Sequence, residues 1–134
     1  MKVKQLDHLN MTVRNFDETA DWYARVFGFE IVEKGTYQGN PWGVLKSGDA
    51  MLCVYEHPEF EGTAGKRNGT HGVNHFALRI TDRAGWLATV ERENLKLDFG
   101  GEVDWPHSKA WYVSDPTGYG IEVALWDDDA PAFG

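Results

Sequence analysis

The feature that most restricts what this chain can become is an internal repeat. Leu6-Asp7-His8-Leu9-Asn10-Met11-Thr12-Val13-Arg14-Asn15 returns, position by position, as Val73-Asn74-His75-Phe76-Ala77-Leu78-Arg79-Ile80-Thr81-Asp82. In the first copy Leu9, Met11 and Val13 alternate with His8, Asn10 and Thr12. In the second, Phe76, Leu78 and Ile80 alternate with His75, Ala77 and Arg79. Period-two alternation marks a strand with one buried face.

The segment after each copy repeats as well. After the first, Asn15 is placed to cap a helix, with Glu18 as its capping-box partner. Phe16, Ala20, Tyr23 and Phe27 then recur at helical spacing, and Gly28 stands where a left-handed cap ends such a helix. After the second, a helix from about Arg83 to Asn94 carries Trp86, Leu87 and Val90. Three strands complete each copy: Phe29 to Glu33, Trp42 to Lys46 and Met51 to Tyr55, then Leu97 to Val103, Ala110 to Ser114 and Ile121 to Leu125. Strand, helix and three strands, twice over, predict an α+β domain over residues 1–134 with its helices outside a curved sheet. Module one spans about residues 4–56 and module two about 73–126. The stretch 57–72 between them is small, polar and glycine-rich and is expected to be a linker or mobile loop. Its Gly65-Lys66 lacks both the spacing and the following Ser or Thr of a phosphate loop. The acidic tail Asp127-Asp128-Asp129-Ala130-Pro131 is expected to fray.

Charge narrows the partners. With 13 basic and 21 acidic residues the net charge is −8, which disfavours nucleic acid and anionic membranes, since both need a basic face. No apolar stretch approaches a bilayer span, and Met1-Lys2-Val3-Lys4-Gln5 is not a secretory apolar region. Cys53 is the only cysteine. These features predict a cytoplasmic protein.

The chemistry gathers at the end of module two. Asp115-Pro116-Thr117-Gly118 is turn chemistry between two apolar runs, so residues 110–125 predict a hairpin-like pair of strands. Glu122 lies inside the second strand, where a carboxylate needs a positive partner. Arg79 or Lys109 can supply one. A metal ion is the other candidate. His8 and His75 occupy equivalent positions of the two copies and face away from the helices, so pairing the modules' concave faces makes them converge. Two imidazoles and the Glu122 carboxylate form a set that binds a divalent metal and leaves coordination positions open. Imidazole suits Fe(II), Ni(II), Zn(II) and Mn(II), so the ligands do not choose the metal.

Four stretches carry a resemblance: Leu6 to Val13, Trp22-Tyr23-Ala24-Arg25-Val26-Phe27-Gly28-Phe29, Val73-Asn74-His75-Phe76, and Asp115-Pro116-Thr117-Gly118-Tyr119-Gly120-Ile121-Glu122-Val123. In these the chain resembles the vicinal oxygen chelate superfamily, which includes glyoxalase I, fosfomycin-resistance thiol transferases, bleomycin-binding proteins and extradiol dioxygenases. The resemblance implies paired βαβββ modules forming an open, cup-like sheet around a metal held by His8, His75 and Glu122, usually within a homodimer. Three further comparisons separate the members. Glyoxalase I carries a fourth, glutamate ligand in the last strand of module one; here Met51, Cys53 and Tyr55 are the expected cavity-facing residues and Glu56 has the wrong alternation. Tyr112, Ser114, Asp115, Pro116, Gly118 and Glu122 fit the closing pattern of extradiol dioxygenases, with Tyr112 as hydrogen-bond donor to oxygen and His107 as the candidate proton carrier. His107 lies closer to Tyr112 than that pattern asks, and Trp111 replaces an aliphatic residue. The basic cluster of the thiol transferases is thin, with only Arg79 and Lys109 expected near the cup, whereas Trp42, Trp105, Trp111 and Trp126 suggest an aromatic lining. Together these residues predict a metal-dependent enzyme binding a small substrate through two adjacent oxygens, leaning to Fe(II) extradiol cleavage. A glyoxalase-like isomerase or lyase, a thiol transferase and a metal-free drug-binding protein are the alternatives.

Overall fold

In a computed structural model of the chain, residues 1–59 and 71–133 are described. They belong to two compact units that divide between Gly62 and Thr63. Unit 1 runs β1 (Leu9–Val13), α1 (Phe16–Phe27), β2 (Glu30–Tyr37), β3 (Asn40–Ser47) and β4 (Ala50–Glu56). Unit 2 runs β5 (Phe76–Arg79), α2 (Arg83–Arg92), β6 (Val103–Trp105), β7 (Ser108–Ser114) and β8 (Gly120–Trp126). The sheets have the same order, β1-β4-β3-β2 and β5-β8-β7-β6. In each, the first strand pairs parallel to the last and the other pairs are antiparallel. The repeat in the sequence is thus a repeat of one α+β unit, strand-helix-three strands.

Caps form at both ends of the first helix, but the expected capping box does not close, because the Glu18 carboxylate accepts from Arg14 instead. The Asn15 side chain accepts from the Glu18 amide at 2.8 Å, and Gly28 closes the helix at φ 69° with its amide bound to the Ala24 carbonyl. Between these caps Phe16, Thr19, Ala20, Tyr23 and Val26 are buried. They cover the sheet face that carries Met11, Val13, Leu45, Leu52 and Val54, all at most 3% exposed. A fully buried side chain of this kind stabilises by about 1.5–3 kcal/mol, so this stripe is what fixes α1 to its sheet. In unit 2, Trp86 is the one buried residue of α2, and it meets Trp111 edge-on at 6.4 Å. Trp111, Val113, Ile121 and Val123 form the matching sheet face, each at most 1% exposed. Neither helix is long and apolar enough to cross a membrane.

The structure corrects four local expectations. The first strand starts at Leu9 rather than Leu6, and β5 starts at Phe76 rather than Val73. Each is an edge strand whose register with its one neighbour opens at Leu9↔Leu52 and Phe76↔Ile121, so earlier residues have no ladder to join. His8 and His75 therefore sit one residue ahead of their strands. The predicted strand Leu97–Val103 is instead a one-turn 3-10 helix, Asp98–Gly100, followed by β6. Phe99, Gly100 and Gly101 have positive φ (56°, 78° and 113°), which no strand accommodates. The tail expected to fray is instead tied at its start: the Asp127 amide binds the His107 carbonyl, the Asp129 amide binds the Trp126 carbonyl, and the exposed Phe133 ring meets Trp126 edge-on at 5.8 Å. Of the expected loop 57–72, residues 60–70 lie outside the described residues.

Candidate metal and substrate site

The hairpin β7–β8 builds the site in unit 2. Asp115, 5% exposed, turns its carboxylate back so that one oxygen accepts from the amides of Thr117, Gly118 and Tyr119 at 2.9–3.0 Å. Gly118, at φ 107°, supplies the conformation that an L side chain resists. This locked turn sets the register Ser114↔Gly120, Tyr112↔Glu122 and Trp111↔Val123. Because Ile121 and Val123 are wholly buried towards α2, strand alternation sends Glu122 to the opposite face, beside Tyr112.

His75 completes the cluster. Its Nε2 lies 2.9 Å from Oε2 of Glu122, with the two side chains 36% and 20% exposed. The carboxylate only accepts, so Nε2 carries the proton in this pair. The His75 ring also meets Tyr112 edge-on at 5.8 Å. Glu122 is therefore paired with His75 rather than with Arg79 or Lys109. The Lys109 ammonium is engaged elsewhere, by Asp104 at 2.6 Å and Glu102 at 3.9 Å, and the Asp104 hydrogen bond pushes its pKa up.

Tyr112 is held from three sides. Phe99 packs edge-on at 5.1 Å, His75 lies on another edge, and the Trp105 indole N–H donates to the hydroxyl at 3.3 Å. An indole N–H is a donor only, so the Tyr112 oxygen accepts there and its own proton is free to point elsewhere. Phe99 was not among the residues expected at this site, and Trp105 was expected as lining rather than as a hydrogen-bond partner of Tyr112. The glycine pair after Phe99 was the one local signal for that ring, since it marks a turn that returns it to the sheet.

The second predicted catalytic residue does not join them. His107 sits in the two-residue turn Pro106-His107 between β6 and β7. Tyr112 is five positions further along the chain, about 16 Å of strand rise. His107 lines a cleft with Trp105, Trp126 and Phe133, and of these Trp105 is the one that reaches Tyr112. His107 was expected as a proton carrier from the resemblance to the extradiol dioxygenase pattern, in which a histidine precedes the tyrosine, and here it occupies the turn between β6 and β7.

In unit 1, His8 stands in the same place relative to β1 as His75 does relative to β5. Its Nδ1 is bound to Asp7 at 2.8 Å, and its side chain is 41% exposed. Two residues on, Asn10 pairs with Cys53, just as Ala77 pairs with Glu122 in unit 2. Cys53 thus takes in unit 1 the register position that Glu122 takes in unit 2. Burial pushes the Cys53 thiol pKa up, with Asp7 and Glu33 adding to the shift. Met51, Cys53 and Tyr55 share the face away from α1, while Leu52 and Val54 are buried beneath the helix. Glu56 is used differently: its carboxylate accepts from the Phe16 amide at 2.8 Å, satisfying the first amide of α1. Trp42 stacks on Tyr55 at 5.9 Å, and Tyr37 meets Tyr55 edge-on at 5.6 Å, so this face of unit 1 is aromatic.

Among the described residues, no group of three or more His, Cys, Asp or Glu side chains is arranged to hold a metal ion. The pair in unit 2 fits one as two ligands. Donors bound at about 2.0–2.2 Å and at right angles lie about 3 Å apart, the separation of His75 Nε2 and Glu122 Oε2.

The chain is 27% identical over 121 residues to a catechol-2,3-dioxygenase of Bacillus subtilis (strain 168), over 88% of this chain and 40% of that protein. The chain therefore spans about two fifths of the length of the curated relative it matches. A glyoxylase/bleomycin resistance protein/dioxygenase domain from Frankia sp. EAN1pec superposes with a TM-score of 0.77 at 14% identity, covering 95% of each chain. A fosfomycin resistance protein, FosX, from Listeria monocytogenes, solved with Mn(II) and sulfate, superposes at 0.67 with 14% identity, over 92% of this chain and 93% of that one. The family profile described as Glyoxalase/Bleomycin resistance protein/Dioxygenase superfamily matches residues 5–123, which takes in both repeats, both histidines and Glu122. With the profile spanning both βαβββ units, this chain belongs to the glyoxalase/bleomycin resistance protein/dioxygenase superfamily.

Proposed function

We propose that the protein is a metal-dependent enzyme that binds a divalent ion through His8, His75 and Glu122 and cleaves catechol-type rings with dioxygen, with Fe(II) as the metal. The observation that carries this reading is the His75–Glu122 pair at 2.9 Å with Tyr112 beside it. The 27% identity to a catechol-2,3-dioxygenase favours this chemistry within the superfamily. So does Glu56, whose commitment to the Phe16 amide removes the nearest candidate for a glyoxalase-type fourth ligand.

Bound there, Fe(II) supplies a Lewis acid for two neighbouring substrate oxygens and a redox centre for dioxygen. The protein's own groups do the rest. Asp7 on Nδ1 of His8 orients that imidazole and leaves Nε2 as its ligating nitrogen. Glu122 would bring a negative charge that balances the cation, and His75 would offer Nε2 as a ligand in its neutral form with the proton on Nδ1. Tyr112 points its hydroxyl proton away from Trp105 and donates it to a substrate oxygen. Phe99, 71% exposed, and the buried edge of Tyr112 offer an aromatic wall to a flat ring. In this reading the enzyme works as a homodimer.

The test is metal content and turnover on protein purified anaerobically without a histidine tag. Mass spectrometry should find about one iron per chain after Fe(II) loading, and the loaded protein should consume oxygen with catechol. His75→Ala should lose both while keeping the parent's circular dichroism. Equal iron retention by that variant, or oxygen uptake independent of metal, overturns the reading.

A further inference from the structure

Strand alternation lays the candidate site and an aromatic cleft along one face of the unit 2 sheet. Tyr112 and Glu122 pair at one end of that face, Ala110 and Ala124 pair next, and Ser108 and Trp126 pair beyond them. All of these lie opposite the face of Val113, Ile121 and Val123, which are buried. About 13 Å of strand separates the first pair from the last.

At the far end this face opens into a cleft of about 280 Å³, lined by Trp105, His107, Ser108, Trp126 and Phe133 among others. The tail builds its outer side. With the Asp127 and Asp129 amides bound to the His107 and Trp126 carbonyls, the chain turns and Phe133 meets Trp126 edge-on. Trp105 belongs to both ends, because its ring lines the cleft while its indole N–H donates to the Tyr112 hydroxyl. Between the ends, β7 and β8 raise only the methyl groups of Ala110 and Ala124 on this face. Val103 pairs with Ala110 on one side, and the exposed Arg79 pairs with Ala124 on the other. The middle is thus a shallow trough that runs from Tyr112 and Glu122 to the cleft.

The lining selects the chemistry. Among the described residues that line the cleft, none is Asp, Glu, Lys or Arg, so an ionic group would lose water there and gain no opposite charge. The rings are still wet: Trp105 is 52% exposed and Phe133 87%. Apolar matter laid against them removes that area from water. We propose that the substrate of the candidate site is an ortho-diol bearing an uncharged apolar arm, which crosses Ala110 and Ala124 and ends against Trp105, Trp126 and Phe133. With about 1.2 Å of reach per bond, an aromatic ring and roughly six further carbons cover the distance. This substrate class rests on the reading of His75, Glu122 and Tyr112 as the place that receives the two oxygens.

The test uses three probes on the full chain, loaded with Fe(II) and kept free of oxygen. They are catechol, hexylcatechol, and hexanol, which has the arm without the diol. In calorimetry hexylcatechol should bind at least about tenfold more tightly than either of the others, a difference of about 1.4 kcal/mol. Phe133→Ala should cut that advantage several-fold while the urea midpoint stays near the parent's, because the ring is largely exposed. Ala124→Leu, which raises the floor of the trough, should cut it as well. Equal affinity of hexylcatechol and catechol, or of hexylcatechol and hexanol, overturns the proposal. So does an advantage that Phe133→Ala leaves intact. Iron uptake is measured first, by mass spectrometry. If the chain takes up no iron, the metal reading falls, and the same probes on the metal-free chain still decide whether diol and arm bind together.

Discussion

Replacing Glu122 by Gln separates the two jobs that the carboxylate is asked to do. Shape and packing stay the same, because Ile121 and Val123 on the other face hold β8 in place at 0% exposure. The amide oxygen still accepts from Nε2 of His75. The difference is charge. In the metal-free protein a charge-assisted bond becomes a neutral one between side chains 36% and 20% exposed. Water screens such a pair, so stability should fall by about 1 kcal/mol or less. Metal binding has no such cushion. Loss of a group that merely orients a ligand lowers metal affinity about 10–100-fold, so loss of a ligand's own charge should lower it by about 100-fold or more. Urea unfolding of the metal-free protein measures the first effect, and competition with a chromophoric chelator measures the second. Affinity within about threefold of the parent, on a protein of unchanged stability, would remove Glu122 from the ligand set and with it the metal reading.

The same geometry sets two further outcomes. Asp115→Ala strips the acceptor from three backbone amides in a turn that is 5% exposed at that residue. It should destabilise the protein by about 3 kcal/mol in urea unfolding, with Asp115→Asn losing less, and a loss under about 1 kcal/mol would show that the turn holds without it. Cys53 should react slowly with iodoacetamide at neutral pH, because burial raises its pKa and keeps the thiol protonated. The rate should climb only as pH rises above the ordinary thiol range, and fast alkylation at about pH 7 would contradict that environment.

The two units were legible in the sequence because their signals are local. Alternation in Leu9–Val13, the Asn15 and Gly28 caps and the Asp115–Gly118 turn each act within a few residues, and a repeat copies the strand-helix pattern. That Glu122 needs a partner was legible for a related reason, since a carboxylate amid buried Ile121 and Val123 demands one, and the repeat marks His8 and His75 as equivalent positions. The residues alone left open which partner Glu122 takes, and the 2.9 Å contact with His75 answers it within unit 2. The remainder was decided only in three dimensions. Glu56 serves the Phe16 amide forty residues away in sequence, a bond that no local pattern announces. Trp105 reaches Tyr112 across the face of the sheet, while His107, nearer in sequence, sits in the turn between their strands. The tail folds back because Asp129 turns left-handed and Phe133 finds Trp126. Periodicity tells a chain which face a residue takes, since that depends on its immediate neighbours. Which side chains meet depends on pairing between strands, and only the assembled sheet sets that.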